Sequence, residues 1–131
     1  MAHVLIITGN KLVRWSVKEI LTKEGFSADA ALMTSDSLAR ISNKSYSLII
    51  LDYEARGIDN INILEKIDEL FPSTNIIILA NFGDEQQKTF MNRPNIFSVI
   101  EKPFSVGQIK DAAVTALASP RAKEKNEKLR R

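Results

Sequence analysis

Leu48-Ile49-Ile50-Leu51-Asp52 is an uninterrupted apolar run that stops on a carboxylate. Four large aliphatic residues in succession read as a short strand buried on both faces, the signature of a central strand in a parallel sheet. A second run, Ile96-Phe97-Ser98-Val99-Ile100, is followed by Glu101 and then by Lys102-Pro103-Phe104. In an open parallel sheet, both Asp52 and Lys102 emerge at the carboxyl edge, where such sheets bind ligands.

The rest of the chain alternates around these two strands. Val4-Leu5-Ile6-Ile7 and Ile76 to Leu79 read as further buried strands. Ala28 to Leu32 is weaker and broken by Asp29, as an edge strand tolerates. After the first strand, Asn10 is placed to cap a helix whose apolar face is Leu12, Val13, Val17, Ile20 and Leu21, with Gly25 at its C-terminal stop. Thr34-Ser35-Asp36 opens a short helix carrying Leu38 and Ile41. Tyr53 to Ile58 is a loop containing Gly57. Asp59 or Asn60 then opens a helix with Ile61, Leu64, Ile67 and Phe71, stopped by Pro72. Residues 84–92 are polar, with only Phe90 and Met91 as apolar anchors, and form the least marked helix. Ser105-Val106-Gly107-Gln108 has the form of a capping box. Val106, Ile109, Ala113 and Leu117 give the last helix its apolar face, before Pro120 interrupts it.

Five strand–helix units with right-handed crossovers predict an α/β fold, a flavodoxin-like doubly wound (βα)5 parallel sheet of order 2-1-3-4-5. The switch point between first and third strands brings Thr8, Gly9 and Asn10 beside Asp52. The 131 residues suit one domain. Residues 1–118 form that domain, and 119–131 form a basic tail or linker. From Ser119 onward six basic residues face two acidic ones, a charge of +4, so the body carries −2 of the total of +2. A mildly acidic body argues against nucleic-acid binding by the domain itself.

The chain has no cysteine, which excludes disulfides and thiolate metal sites. Its one histidine, His3, begins the first strand and reads as structural. A histidine cluster or a histidine-based triad is excluded. No apolar stretch reaches membrane-spanning length, and the N-terminus lacks the pattern of a signal peptide. The cytoplasm is the expected location, with no membrane partner.

Asp52, Lys102-Pro103-Phe104 and the strand order together resemble the receiver domain of two-component response regulators, over about residues 3–118. Leu12-Val13-Arg14-Trp15-Ser16 also resembles the first helix of receivers attached to sigma-54-dependent activators. The resemblance implies that Asp52 is the phosphoacceptor position and Lys102 the lysine that stabilises the transferred charge, with a cis peptide bond before Pro103. It also implies a metal site built from an acidic pair, the acceptor and a backbone carbonyl two residues past it. That last position is Glu54, whose side chain is a further candidate ligand, although a solvated loop residue is the plainer reading.

The departures are systematic. Thr8 and Gly9 stand where the acidic pair belongs. Ala80 stands at the switch threonine or serine, and Val99 at the aromatic switch residue. Asn81 is bulkier than the small residue usual at its position. Asn10 offers an amide oxygen but no charge. Two carboxylates about 5 Å apart repel by roughly 3 kcal/mol at an effective dielectric of 20, and this chain is spared that repulsion. The expectation is weak Mg2+ binding, no other cofactor, and a structural Asp52–Lys102 ion pair.

The favoured reading is a pseudo-receiver: a non-enzymatic signalling module acting by protein–protein interaction. Its expected contact surface lies near segment 84–92, the last strand and the last helix. The partner is another protein, a histidine kinase, a fused output domain or a second copy. One alternative is a competent phosphoacceptor, phosphorylated on Asp52 by a histidine kinase. The other is a nucleic-acid-associated protein acting through the basic tail, in a system of transcription regulation.

Overall fold

The computed structural model describes residues 2–32, 34–41, 43–53, 60–81 and 92–119. In chain order the described elements are β1 (His3–Ile7), α1 (Lys11–Lys23), β2 (Ser27–Ala31), α2 (Ser35–Ile41) and β3 (Leu48–Asp52). They continue with α3 (Asn60–Leu70), β4 (Asn75–Ala80), β5 (Ile96–Glu101) and α4 (Val106–Ala118). The strands form one parallel sheet of order β2-β1-β3-β4-β5, the order expected from the sequence. The helix expected over 84–92, Glu54, Gly57 and the basic tail from Pro120 lie outside the described residues.

The sheet is covered on both faces, as its continuous apolar strands require. On one face Leu5, Ile7, Ile49, Leu51, Ile76 and Ile78 pack with Leu38 of α2 and with Ile63, Leu64 and Ile67 of α3. On the other, Val4, Ile6, Leu48, Ile50, Ile77 and Leu79 pack with Val17, Ile20 and Leu21 of α1 and with Ile109, Ala113 and Ala116 of α4. The period of two along each strand divides its residues between the two cores.

Local signals set the helix ends. Asn10 Oδ1 accepts from the backbone N–H groups of Leu12 and Val13 at 2.9 and 3.1 Å, capping α1. Gly25 adopts φ +86° and closes that helix, with its N–H on the Thr22 carbonyl. Ser105 and Gln108 form the expected capping box at the start of α4.

Three expectations need correction. The second strand runs one residue earlier than expected, because the Ser27 N–H already joins the sheet through the Ala2 carbonyl. Leu32 is left half exposed beyond its end. Leu12, assigned to the core face of α1, is 70% exposed. It is rotated about 100° from Val13, away from the stripe that Val17, Ile20 and Leu21 continue. Val106 lies on the apolar stripe of α4 but is 64% exposed. It occupies the first turn, beyond the end of the strands, where no sheet residue remains to cover it.

Asp29, the polar interruption of β2, is a junction. Its Oδ2 accepts from the Tyr46 hydroxyl at 2.8 Å, lies 3.1 Å from His3 Nε2 and 3.5 Å from Lys44 Nζ. Tyr46 is buried and meets His3 and Phe71 edge-on. The Tyr46 hydrogen bond holds the Asp29 carboxyl below the usual carboxylate range, against the opposing effect of burial and helped by Lys44 and His3. Burial and then Asp29 itself push the Tyr46 hydroxyl up. A carboxylate whose folded pKa is depressed contributes stability above its unfolded value, near 3.9. That stability is lost as pH falls through the folded value. Asp29→Asn is expected to lower stability by about 1 kcal/mol at neutral pH. In urea denaturation the gap from wild type should narrow below about pH 4. A gap independent of pH would remove the carboxylate from this account.

Candidate functional site

All five strands are parallel, so their carboxyl ends share one edge. Thr8 follows β1, Asp52 ends β3, Ala80 ends β4, and Lys102 follows β5. The topology therefore brings together residues separated by up to 94 positions (102 − 8). Backbone hydrogen bonds hold the edge in register: Tyr53 N–H donates to the Leu79 carbonyl and Lys102 N–H to the Ala80 carbonyl, each at 2.9 Å.

Asp52 is 1% exposed. A buried carboxylate needs partners for both oxygens. The Thr8 hydroxyl, itself buried, donates to Oδ2 at 2.6 Å. The Lys102 ammonium forms an ion pair with Oδ1. The Asn10 backbone N–H donates to Thr8 Oγ1 at 3.0 Å, so the hydroxyl is itself oriented. The Lys102–Pro103 bond is cis. Ala80 is fully buried and presents only a methyl group, and Val99 packs against the core on the α2–α3 face. Asn81 is exposed and lines a cavity of about 390 Å3 with Leu12, Val13, Ser16, Lys102, Pro103 and Phe104.

The sequence reading anticipated the Asp52–Lys102 pair. It treated Thr8 only as a lost acid and missed the hydrogen bond. The signal was available: threonine is small enough to sit at a buried strand end and carries the one proton that a carboxylate oxygen needs.

Mg2+ is usually held by one or two carboxylates with waters and substrate phosphate. Here Asp52 has both oxygens engaged within the protein, and Thr8 and Gly9 carry no carboxylate. Asn10 spends its amide oxygen on the helix cap. No group of three His, Asp or Glu side chains among the described residues is arranged to hold a metal ion. The described donors do not fit a divalent cation.

Residues 4–114 match the family described as the response regulator receiver domain. The chain belongs to that family. An NtrX-like response regulator of Rickettsia felis is 31% identical over 104 residues, covering 78% of this chain and 22% of that protein. The sporulation initiation phosphotransferase F of Bacillus subtilis is 24% identical and covers 83% of this chain and 88% of that one. The crystal structure of NtrX from Brucella abortus superposes with a TM-score of 0.79 at 28% identity, covering 96% of this chain and 29% of that one. The receiver chain thus spans about a fifth of the length of the NtrX-like relatives. No helix among the described residues is long and apolar enough to cross a membrane.

Removing one partner of this receiver's buried pair strands the other charge. Asp52→Ala is expected to destabilise by about 3–5 kcal/mol, and Asp52→Leu with Lys102→Met by far less. Thr8→Val, which keeps the shape and removes the donor, should cost about 1.5–3 kcal/mol. Equal stability losses for Asp52→Ala and the double variant in guanidinium denaturation would show that the pair is not coupled.

Proposed function

We propose that this receiver domain signals by binding another protein and that its affinity does not depend on Mg2+-assisted phosphorylation of Asp52. The observation that carries the reading is the closed network at the acceptor. Both carboxylate oxygens are held, one by the Thr8 hydroxyl and one by Lys102. A phosphoryl donor must approach an acceptor oxygen, and its developing charge needs neutralisation. In this pocket Lys102 is the one described cation on the acceptor, and it already balances Asp52. Ala80 supplies no hydroxyl for a phosphoryl oxygen, and Val99 supplies no aromatic ring to follow such a hydroxyl. The family's usual relay from pocket to surface therefore has neither of its two moving parts. On this reading the domain is a binding module and not a turnover enzyme. Its partner is a protein of the same regulatory system: a kinase, a fused output domain or a second copy.

A second reading has one observation in its favour. Asp52 and Lys102 occupy the acceptor and lysine positions at the sheet edge, with the cis Lys102–Pro103 bond behind them. On that reading Asp52 is the nucleophile, and Thr8 must release it before attack.

Amide NMR titration with Mg2+, then with Mg2+ and beryllofluoride, separates the two. The expected result is no saturable shift at Thr8, Asp52 or Lys102 in either condition. Shifts that saturate at low-millimolar Mg2+ and spread to β5 with beryllofluoride would establish the phosphoacceptor instead. A Cβ at Gly9 meets nothing within 4 Å, so a side chain can start there without a clash at its first carbon. Thr8→Asp with Gly9→Asp is therefore expected to create Mg2+ binding that wild type lacks. It should also lower the stability of the metal-free protein, because like charges are added beside Asp52.

A further inference from the structure

The acceptor pocket holds a second oxygen nucleophile beside Asp52. Thr8 Oγ1 stands 2.6 Å from Asp52 Oδ2 and donates its proton to it. A hydroxyl oxygen has one proton and two lone pairs. One lone pair of Thr8 Oγ1 accepts the Asn10 N–H at 3.0 Å, and no described contact uses the other. Lys102 holds the far oxygen of the same carboxylate, Oδ1. Nucleophile, base and a third group that fixes the base therefore form one chain of contacts. This is the arrangement that activates a weak hydroxyl nucleophile, and the distance is within the reach required of a general base.

The chemistry that suits this arrangement is phosphoryl transfer. Where a protein phosphorylates a hydroxyl, an aspartate accepts the hydroxyl proton. That proton transfer changes the charge balance of this pocket. With the Thr8 proton on Oδ2, Asp52 is neutral and no longer balances Lys102. The ammonium is then available to the negative charge on the transferring group. The product phosphate would lie two residues before the N-cap of α1, a 13-residue helix with no acid in its first turn. A helix N-terminus favours negative charge. Thr8 is 3% exposed, but Gly9 and Asn10, which follow it, stand in solvent. The approach to the hydroxyl is across this loop. The described pocket supplies no second cation to activate a leaving group, so the donor must leave readily by itself. A phosphorus–nitrogen bond protonated on nitrogen does so.

We propose that Thr8 is a phosphorylation site of this receiver. Asp52 is its general base, Lys102 is the cation on the transferred group, and the donor is a phosphoramidate. Thr8 Oγ1 attacks phosphorus and the O–P bond forms. The P–N bond breaks, and its electron pair leaves on nitrogen as a neutral amine. The Thr8 proton passes to Asp52 Oδ2 and from there to water. Nothing is oxidised or reduced. Phosphate on Thr8 Oγ1 takes away the proton that Asp52 accepts, so the modification opens the contact that joins the end of β1 to the end of β3. The inference rests on the reading of the domain as one that works without Mg2+-assisted phosphorylation of Asp52, and it names a covalent control of the same site.

The test incubates the full chain with phosphoramidate in EDTA and maps the product by mass spectrometry of its peptides, with and without hydroxylamine. Hydroxylamine cleaves an acyl phosphate and leaves a phosphate ester intact. The expected result is one phosphoryl group on Thr8, stable to hydroxylamine. Thr8→Ser should keep the label and Thr8→Val should lose it. Asp52→Asn should slow labelling about 100-fold or more, as loss of a general base predicts. Thr8→Val and Asp52→Asn each leave a buried group without its partner, so their labelling is read on chains shown by amide NMR to be folded. The mapping on the wild type decides the site without them. Three results overturn the proposal and leave the binding-module reading standing: no label on the wild type, ester label on other hydroxyls instead of Thr8, or labelling of Thr8 at an equal rate in Asp52→Asn. A hydroxylamine-labile label on Asp52 overturns both.

Discussion

A carboxylate buried to 1% exposure at the end of the central strand constrains everything around it. Isolated in a low-dielectric interior, an ion of this size carries a penalty of several kcal/mol even after relaxation. Asp52 escapes it because Thr8 arrives from the end of the neighbouring strand β1 and Lys102 from the end of β5, one strand beyond β4. Those groups come from different β-strands, so their convergence depends on parallel pairing across β1, β3, β4 and β5. The network and the sheet support each other: a register slip at any of these pairings moves a partner away from Asp52.

Much of this was readable from the chain. Continuous aliphatic runs announced strands buried on both faces, and Asn10, Gly25 and Ser105–Gln108 marked helix ends by chemistry that is local. Asp52 and Lys102 could be paired because the strand order places them on one edge. The errors lay where periodicity alone is blind. Leu12 is apolar but rotated off the buried stripe of α1, and Val106 is in phase with α4 yet stands in its first turn, uncovered by the sheet. The Asp29 junction was read as a mere interruption. Its partners Tyr46 and His3 lie 17 and 26 residues away, and no local pattern joins them. Thr8 stands where an acid is expected, and the proton of its hydroxyl is what the buried Asp52 oxygen accepts.

The buried network also organises the outside of the molecule. Thr8 is tied to Asn10, and Asn10 caps α1, the helix that carries Leu12 and Trp15. Lys102 leads through Pro103 and Phe104 to Ser105, the cap of α4, whose first residue is Val106. One carboxylate therefore joins the loop after β1 to the loop after β5.

Charge balance explains how the pocket can hold this state. An acceptor aspartate beside two further carboxylates carries excess negative charge, and a cation offsets it. With Thr8 and Gly9 in those positions the described pocket contains one carboxylate and one ammonium, which sum to zero. Among the described residues Thr8 hydrogen-bonds one oxygen of Asp52, and the other is held by the Lys102 ion pair without a hydrogen bond. The replacement of two acids by a hydroxyl and a hydrogen atom thus changes more than the number of metal ligands. It also removes the like-charge repulsion that two further carboxylates would exert on Asp52.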